Sequence, residues 1–266
     1  MKGAYIDLPE GQIHYLTEGE GEPLLLFHQA PMSSQEWVEI IPQLSGKYRV
    51  IAPDMAGHGN SFALDREYSL EDYSAITVKF MDALGLDSVM LGGWHSGAAL
   101  ATSVAVNHPQ RVKKLLVSCE MLIGKEQIDQ FLEGLKSKPL SRDLPMDKAG
   151  EFLKDAWNRY EALAPTAPLE RRFRPFVLGQ LARMSPYDAH VPVLEWMAKA
   201  EWITQVKCPL MVFTAEHDLF YNEALIEKAE KTLSNCQTVV MKDCGALSTF
   251  EKPDAVAAVM KEFFAG

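Results

Sequence analysis

Five short polar segments carry the side chains that acid–base and nucleophilic chemistry needs. Each segment follows an apolar run and contains histidine, serine or aspartate; the segments are His28–Ser33, Asp54–Ser61, Gly92–Ala99, Glu216–Asp218 and Asp243–Ala246. An imidazole can act as a general base, and a hydroxyl with such a base within reach can act as a nucleophile. The ends of the apolar runs are therefore the candidate site.

Apolar runs that alternate with amphipathic stretches must position these segments. Continuous apolar runs are typical of strands buried on both faces of a sheet, and they are Leu24–Phe27, Val50–Pro53, Val89–Leu91, Leu115–Val117, Leu210–Phe213 and Thr238–Met241. Helical patterns lie between them, at Gln35–Leu44, Leu70–Leu84, Ala98–Asn107, Asn222–Thr232 and Asp254–Phe264. A hairpin from residues 4–8 and 12–17 is predicted at the sheet edge. The alternation predicts an α/β fold with a mostly parallel central sheet flanked by helices.

The stretch from residue 122 to residue 204 interrupts this alternation, because it has helical patterns and no convincing strand; the last of these helical patterns is Val193–Ile203. We therefore predict a core of residues 1–121 and 205–266 with an inserted helical cap, or lid, of residues 122–204. Ligands of open α/β sheets bind at the carboxyl ends of the strands, where such an insertion would lie. Helical packing without a gating role is the alternative.

Composition excludes several classes of protein. With 266 residues, 47% of them hydrophobic, and a formal net charge of −10, the chain can bury a large core but has no basic surface for nucleic acid or an anionic membrane. Neither a membrane-spanning run nor a signal peptide is expected. The four cysteines lack paired spacing, so we expect reduced thiols in a cytoplasmic protein without a metal or cofactor.

These segments and their order resemble the α/β-hydrolase fold over essentially the full length of the chain. A Rossmann dinucleotide fold would also give a strand, a glycine turn and a helix, but the spacing within Gly92–Gly97 does not match its fingerprint. In the family, a Gly-x-nucleophile-x-Gly turn raises the nucleophile above the sheet. On this sequence the glycines are Gly93 and Gly97, and the nucleophile position is therefore His95.

The resemblance also implies an atypical catalytic triad. The family's base histidine directly follows a glycine after the last strand, where this chain has Ala246 after Gly245. Its acid is matched by Asp218, which follows the Leu210 strand. A serine nucleophile needs a base within hydrogen-bond reach, and none stands at the expected position.

Three interpretations follow from this departure. In the first, His95 reaches Asp218 through the space left by Ala246 and is a general base or nucleophile for hydrolysis, or abstracts a proton as in lyases, cyclases and cofactor-free oxygenases of this fold. In the second, the turn shifts by one residue and Ser96 is the nucleophile. In the third, the protein binds a small molecule or another protein without turnover.

The family resemblance assigns the remaining site residues. The backbone amides of Ala30 and Ser96 are expected to form the oxyanion hole. Glu120, after the Leu115 strand, is an alternative acid for His95. Four further residues are pocket candidates on their positions in the sequence, namely His28, Trp37, Trp94 and Ala246. For His28 the expected role is support of the loop after the Leu24 strand, and for the two tryptophans packing in the core is the equal alternative.

We predict that the protein is an enzyme that acts on a small-molecule substrate. Its reaction is expected to be hydrolysis or a related reaction at a carbonyl group. Aromatic residues of the cap favour an apolar or aromatic carbonyl or ester substrate, unless they only pack the cap; they are Trp157, Phe173, Phe176, Trp196 and Trp202.

Overall fold

An eight-stranded sheet forms the centre of the computed structural model, which describes residues 1–137 and 140–266. The strands are β1 (Lys2–Leu8), β2 (Gly11–Glu18), β3 (Glu22–Phe27), β4 (Tyr48–Pro53), β5 (Val89–Gly93), β6 (Val112–Ser118), β7 (Leu210–His217) and β8 (Cys236–Gly245). Their order across the sheet is β1-β2-β4-β3-β5-β6-β7-β8. The β1–β2 hairpin and the β2–β4 pair are antiparallel, and all other pairs are parallel. The predicted α/β-hydrolase fold is confirmed.

Helices cover both faces of this sheet. They are α1 (Ile41–Leu44), α2 (Leu70–Ala83), α3 (Ser96–Asn107), α8 (Glu223–Thr232), α9 (Ser248–Glu251) and α10 (Pro253–Ala265). The apolar side chains of strands β3 and β5 are buried because they meet two hydrophobic clusters, one on each face of the sheet. Helix α2 begins with a capping box, in which the Ser69 hydroxyl accepts the Asp72 N–H and the Asp72 carboxylate accepts the Ser69 N–H.

Between β6 and β7 the described residues are helical and contain no strand. The helices are α4 (Lys125–Ser137), α5 (Glu151–Leu163), α6 (Leu169–Leu181) and α7 (His190–Met197), with short 3-10 turns between them. We call α4 to α7 and their connections the inserted helices. A small apolar cluster that includes Met32, Tyr160 and Phe250 joins them to the core. Residues 138–139 of the predicted cap lie outside the described residues.

Two helix predictions are wrong in their extent. The stretch Gln35–Leu44 is not one helix: a 3-10 turn at Ser34–Trp37 and the short α1 replace it, and Pro42, which has no N–H, lies at the start of α1. The last helix of the insertion was predicted from Val193 but begins at His190, because Pro192 is accommodated in its first turn. No helix in the described ranges is long and apolar enough to cross a membrane.

Candidate active site

The turn between β5 and α3 holds His95 in a strained backbone conformation. Its φ of 46° and ψ of −118° lie where a residue with a side chain is rarely found. Such a conformation costs about 1–3 kcal/mol and persists only where the surroundings enforce it. Here the His95 N–H donates to Ser118 Oγ at 2.6 Å, and the His95 carbonyl accepts the Ala98 N–H at 2.7 Å.

Two glycines make this turn sterically accessible. A Cβ on Gly93 would lie 2.3 Å from the carbonyl oxygen of Gly97, and a Cβ on Gly97 would lie 2.4 Å from the carbonyl oxygen of Phe27. The register predicted from the sequence therefore has a direct steric cause. Ser96, by contrast, is the first residue of α3.

The His95 ring lies against the residues that follow β7 and β8. Its Nε2 is 3.3 Å from Asp218 Oδ2 and 3.3 Å from the carbonyl oxygen of Ala246. Both neighbours are acceptors, so Nε2 carries a hydrogen in either protonation state of the ring. The basic nitrogen is then Nδ1, for which no hydrogen-bond partner is found in the described part of the chain.

The surroundings of His95 favour its charged form. Burial opposes the imidazolium, but the Asp218 carboxylate, its hydrogen bond with the ring, and the charges of Glu120 and Glu36 outweigh burial and raise the pKa of His95 to about 10. The side chains of His95 and Asp218 are 15% and 5% exposed, so little solvent screens the pair. At neutral pH the ring is therefore the imidazolium, with a hydrogen on both nitrogens, and the neutral ring with a free Nδ1 appears as the pH rises.

The turn after β8 leaves space for this ring because residue 246 is alanine. Ala246 is buried and lines the same cavity as His95. Glu251 shapes the turn: its carboxylate accepts the Gly245 N–H in a very short hydrogen bond and the Thr166 N–H at 2.9 Å. The imidazole contact with Asp218 thus comes from residue 95 instead of residue 246.

The structure does not show the two free backbone amides that were predicted to form the oxyanion hole. The Ala30 N–H donates to Ser96 Oγ at 2.6 Å, so this amide is occupied by a side chain of the protein itself. The prediction for Ala30 is corrected, because the hydroxyl of the serine that follows His95 reaches across to the loop after β3. The Ser96 N–H has no hydrogen-bond acceptor among residues 1–137 and 140–266.

A buried carboxyl fixes the loop that follows β3. Glu36 accepts the Gln29 N–H at 2.9 Å, the Gln29 side-chain amide at 2.8 Å and the Thr249 hydroxyl at 2.8 Å. Burial raises the pKa of Glu36 to about 7, although these hydrogen bonds oppose the shift. Glu36 was not predicted as a site residue. The only feature of the sequence that points to it is Gln29, whose side-chain amide donates to this carboxyl.

Glu120, the alternative acid, is also buried beside His95. It is 3% exposed, and neither carboxylate oxygen has a hydrogen-bond partner of normal geometry in the described ranges. Burial raises the pKa of Glu120, opposed by the charge of His95 and the Ser118 hydroxyl. Asp218 is the carboxylate in contact with the ring.

A cavity of about 260 Å³ lies between these strand ends and the inserted helices. Its wall is mainly apolar, with α4 contributing Phe131 and α7 contributing Val193 and Met197. The polar residues of the wall are Gln29, His95, Ser96, Glu120, Arg142, Tyr160 and His190.

Sequence reasoning missed the two basic residues that the insertion contributes to this wall. His190 Nδ1 is 2.7 Å from Asp188 Oδ1, so the carboxylate orients this ring. Arg142 donates to the carbonyl oxygens of Ser185 at 2.6 Å and Tyr187 at 3.1 Å. Arg142 lies in a 3-10 turn and His190 is the first residue of α7, ahead of the predicted helix start at Val193, so no periodic pattern identifies either as part of a cavity wall.

Three of the pocket candidates lie outside the cavity wall. His28 is fully buried and accepts the Met55 N–H at 3.0 Å through Nε2; burial lowers its pKa to about 4. Trp37 and Trp94 pack edge to face, with ring centroids 5.5 Å apart, in the hydrophobic cluster on one face of the sheet. The cavity therefore does not include these three candidates, and the alternatives hold: His28 supports the loop after β3, and the two indoles pack in the core.

Comparisons with known proteins agree with the fold. The sequence model of the alpha/beta hydrolase fold family matches residues 22–253, and the chain belongs to this family. It is 28% identical over 215 residues to an (E)-2-((N-methylformamido)methylene)succinate hydrolase of Acinetobacter baylyi, covering 77% of this chain and 76% of the relative. It is 26% identical over 268 residues to a haloalkane dehalogenase of Agrobacterium fabrum, covering 94% and 87%.

Among solved structures, the enol-lactonase from Burkholderia xenovorans LB400 superimposes with a TM-score of 0.75 at 17% identity, covering 99% of this chain and 100% of the other. At that identity the likeness supports the fold alone. These two relatives are hydrolases. The comparison supports an enzyme for this chain, and favours hydrolysis over other types of reaction.

Proposed function

We propose that the protein hydrolyses small apolar or aromatic esters and lactones, with His95 as general base and Asp218 as the carboxylate that orients it. The observation that carries this proposal is the 3.3 Å contact between His95 Nε2 and Asp218 Oδ2 at the turn between β5 and α3. This contact supports a basic role for Nδ1, on a ring that lines the cavity. The apolar wall favours an apolar acyl or alkyl group.

The reaction needs only water as the second reactant. Neutral Nδ1 removes a proton from water while the water oxygen bonds to the carbonyl carbon, and the carbonyl oxygen becomes an oxyanion beside Ser96. When the intermediate collapses, the carbon–oxygen bond to the leaving group breaks and Nδ1 returns the proton to that oxygen. Direct attack by Nδ1 would instead form an acyl-imidazole, which intact-mass measurement detects.

We further propose that the inserted helices, residues 122–204, act as the cap over this reaction. Several contacts hold them on the core, including ion pairs of Glu39 with Arg171 at 3.4 Å and with Arg174 at 3.0 Å. Residues from α4 and α7 complete the cavity wall. Substrate access therefore depends on their position.

The test is the variant His95→Gln, assayed against p-nitrophenyl esters and aromatic lactones. We expect its kcat/KM to fall at least about a hundredfold, since general acid–base catalysis contributes 10²–10⁴-fold. His217→Gln is the matched control, because this histidine adjoins Asp218 but is exposed at the end of β7. Full activity in His95→Gln would contradict the proposal.

A binding protein without turnover is the second candidate. Two observations favour it: the raised pKa keeps His95 protonated at neutral pH, and Ser96 occupies the Ala30 amide. It predicts saturable binding of the same esters and no hydrolysis at any pH up to 10.

A further inference from the structure

Ser96 lines the cavity and has two hydrogen-bond donors without an acceptor among the described residues. Its hydroxyl oxygen accepts the Ala30 N–H at 2.6 Å, but no acceptor for the hydroxyl hydrogen is found among the described residues. Its backbone N–H is equally without an acceptor there. The residue is 6% exposed and lines the cavity beside His95. Buried donors normally have partners, so two free donors on one residue call for a ligand.

The contact with Ala30 strengthens the hydroxyl as a donor. An oxygen that accepts a hydrogen bond holds its own hydrogen less tightly, because hydrogen bonds in a chain polarise one another. Ser96 is also the first residue of α3, a helix of 12 residues, whose N-terminal N–H groups favour negative charge nearby. Both effects favour an oxygen that gains negative charge.

Ser96 is not suited to attack the substrate itself. A nucleophilic serine needs a base that accepts its proton, and no imidazole or carboxylate forms a hydrogen bond with Ser96 Oγ within residues 1–137 and 140–266. Its oxygen lone pair is instead engaged by the Ala30 N–H. The arrangement makes the hydroxyl a donor and not a nucleophile.

We propose that Ser96 stabilises the oxyanion through its side-chain hydroxyl together with its own N–H, and that Ala30 acts on the substrate only through Ser96. The inference rests on the proposed hydrolysis, whose oxyanion it serves. No covalent bond to Ser96 forms, and the hydroxyl proton stays on its oxygen. The ligand class is a compound with a carbonyl oxygen that can reach the start of α3.

The kinetic test uses Ser96→Ala with p-nitrophenyl butyrate as substrate. Loss of one oxyanion donor typically lowers kcat about 10²–10³-fold, and we expect this loss with KM changed less than about twofold. Ser103→Ala is the matched control, because Ser103 is a buried serine of α3 that does not line the cavity. An unchanged or higher kcat in Ser96→Ala would overturn the proposal, since it would mean that the hydroxyl only blocks the Ala30 amide.

An infrared measurement separates this inference from the proposed function. Carbonyl-¹³C acetophenone is bound to the unmodified protein, where we expect the C=O stretch to lie below its frequency in an aprotic solvent. The lowering should diminish in Ser96→Ala and persist in His95→Gln. Turnover is not required, so an inactive protein with this pattern would refute the hydrolase but support the role of Ser96. No lowered band at saturating ketone, or equal bands in the protein and Ser96→Ala, would overturn it.

Discussion

Replacing Asp218 by asparagine removes the charge that most strongly favours protonated His95. Two unit charges 3.3 Å apart attract by about 5 kcal/mol at an effective dielectric constant of 20, which corresponds to between about three and four pKa units. The two groups reach different carboxylate oxygens, His95 Nε2 at Oδ2 and the Phe220 N–H at Oδ1 at 2.9 Å, and asparagine has an oxygen at only one of these two positions. Burial, which lowers the pKa of His95, then acts with less opposition. We expect this pKa to fall by at least about two units.

The assay is an NMR titration of the His95 Cε1–H signal between pH 5 and 11. The chain has seven histidines, and the variant His95→Gln identifies the signal. Asp188→Asn is the matched control, because Asp188 contacts a different cavity histidine, His190, at 2.7 Å. The control should leave the titration of His95 unchanged. A shift of less than half a unit in Asp218→Asn would refute the electrostatic reasoning.

Two further predictions follow from the buried carboxyl and hydroxyl beside this pair. Glu120→Met should raise the free energy of unfolding by about 1–3 kcal/mol at pH 8, because it removes a buried carboxyl that has no hydrogen-bond partner of normal geometry among the described residues. Since the pKa of Glu120 is raised in the folded state, its carboxyl destabilises the fold increasingly as the pH rises above the pKa of the unfolded state, and the stability gained by Glu120→Met should therefore shrink at pH 4. Urea unfolding at pH 4 and pH 8 measures this gain, and an equal gain at both pH values would contradict the argument. A serine-directed fluorophosphonate should leave Ser96 unmodified in intact-mass spectra, because no base among the described residues reaches its hydroxyl. An adduct at Ser96 would instead support the interpretation in which the turn shifts by one residue and Ser96 is the nucleophile.

The fold could be predicted from the sequence because its strands are locally distinct. A strand such as β3 is buried on both faces, and its apolar run is bounded by polar residues on both sides. The same holds for the turn at His95, since only glycine fits at Gly93 and Gly97. The apolar run of β3 and the close approach of Gly93 to Gly97 depend on neighbours in the chain, so the local pattern contains them. The close approach of Gly97 to Phe27 is distant in sequence, and only the glycine itself indicates it.

The parts of the site that were missed depend on contacts distant in sequence. The Ala30 amide is occupied by Ser96, 66 positions away, and no pattern around either residue records that hydrogen bond. Glu36 acts through Gln29 and Thr249, and the latter lies 213 positions from it. The local sequence does not decide whether Trp94 faces the pocket or the core, whereas in the structure its indole donates to Ser248 Oγ at 2.8 Å, 154 positions away, within the core.

The central claim, that neutral His95 drives hydrolysis, is tested most directly by the pH dependence of kcat/KM. With a pKa of about 10, only about one molecule in a thousand has the neutral ring at pH 7. For p-nitrophenyl butyrate, corrected for spontaneous hydrolysis, we predict that kcat/KM rises about tenfold per pH unit from pH 6 to pH 9. His95→Gln should lack this rise. A profile that is flat over this range, or that has the same slope in His95→Gln, would contradict the account.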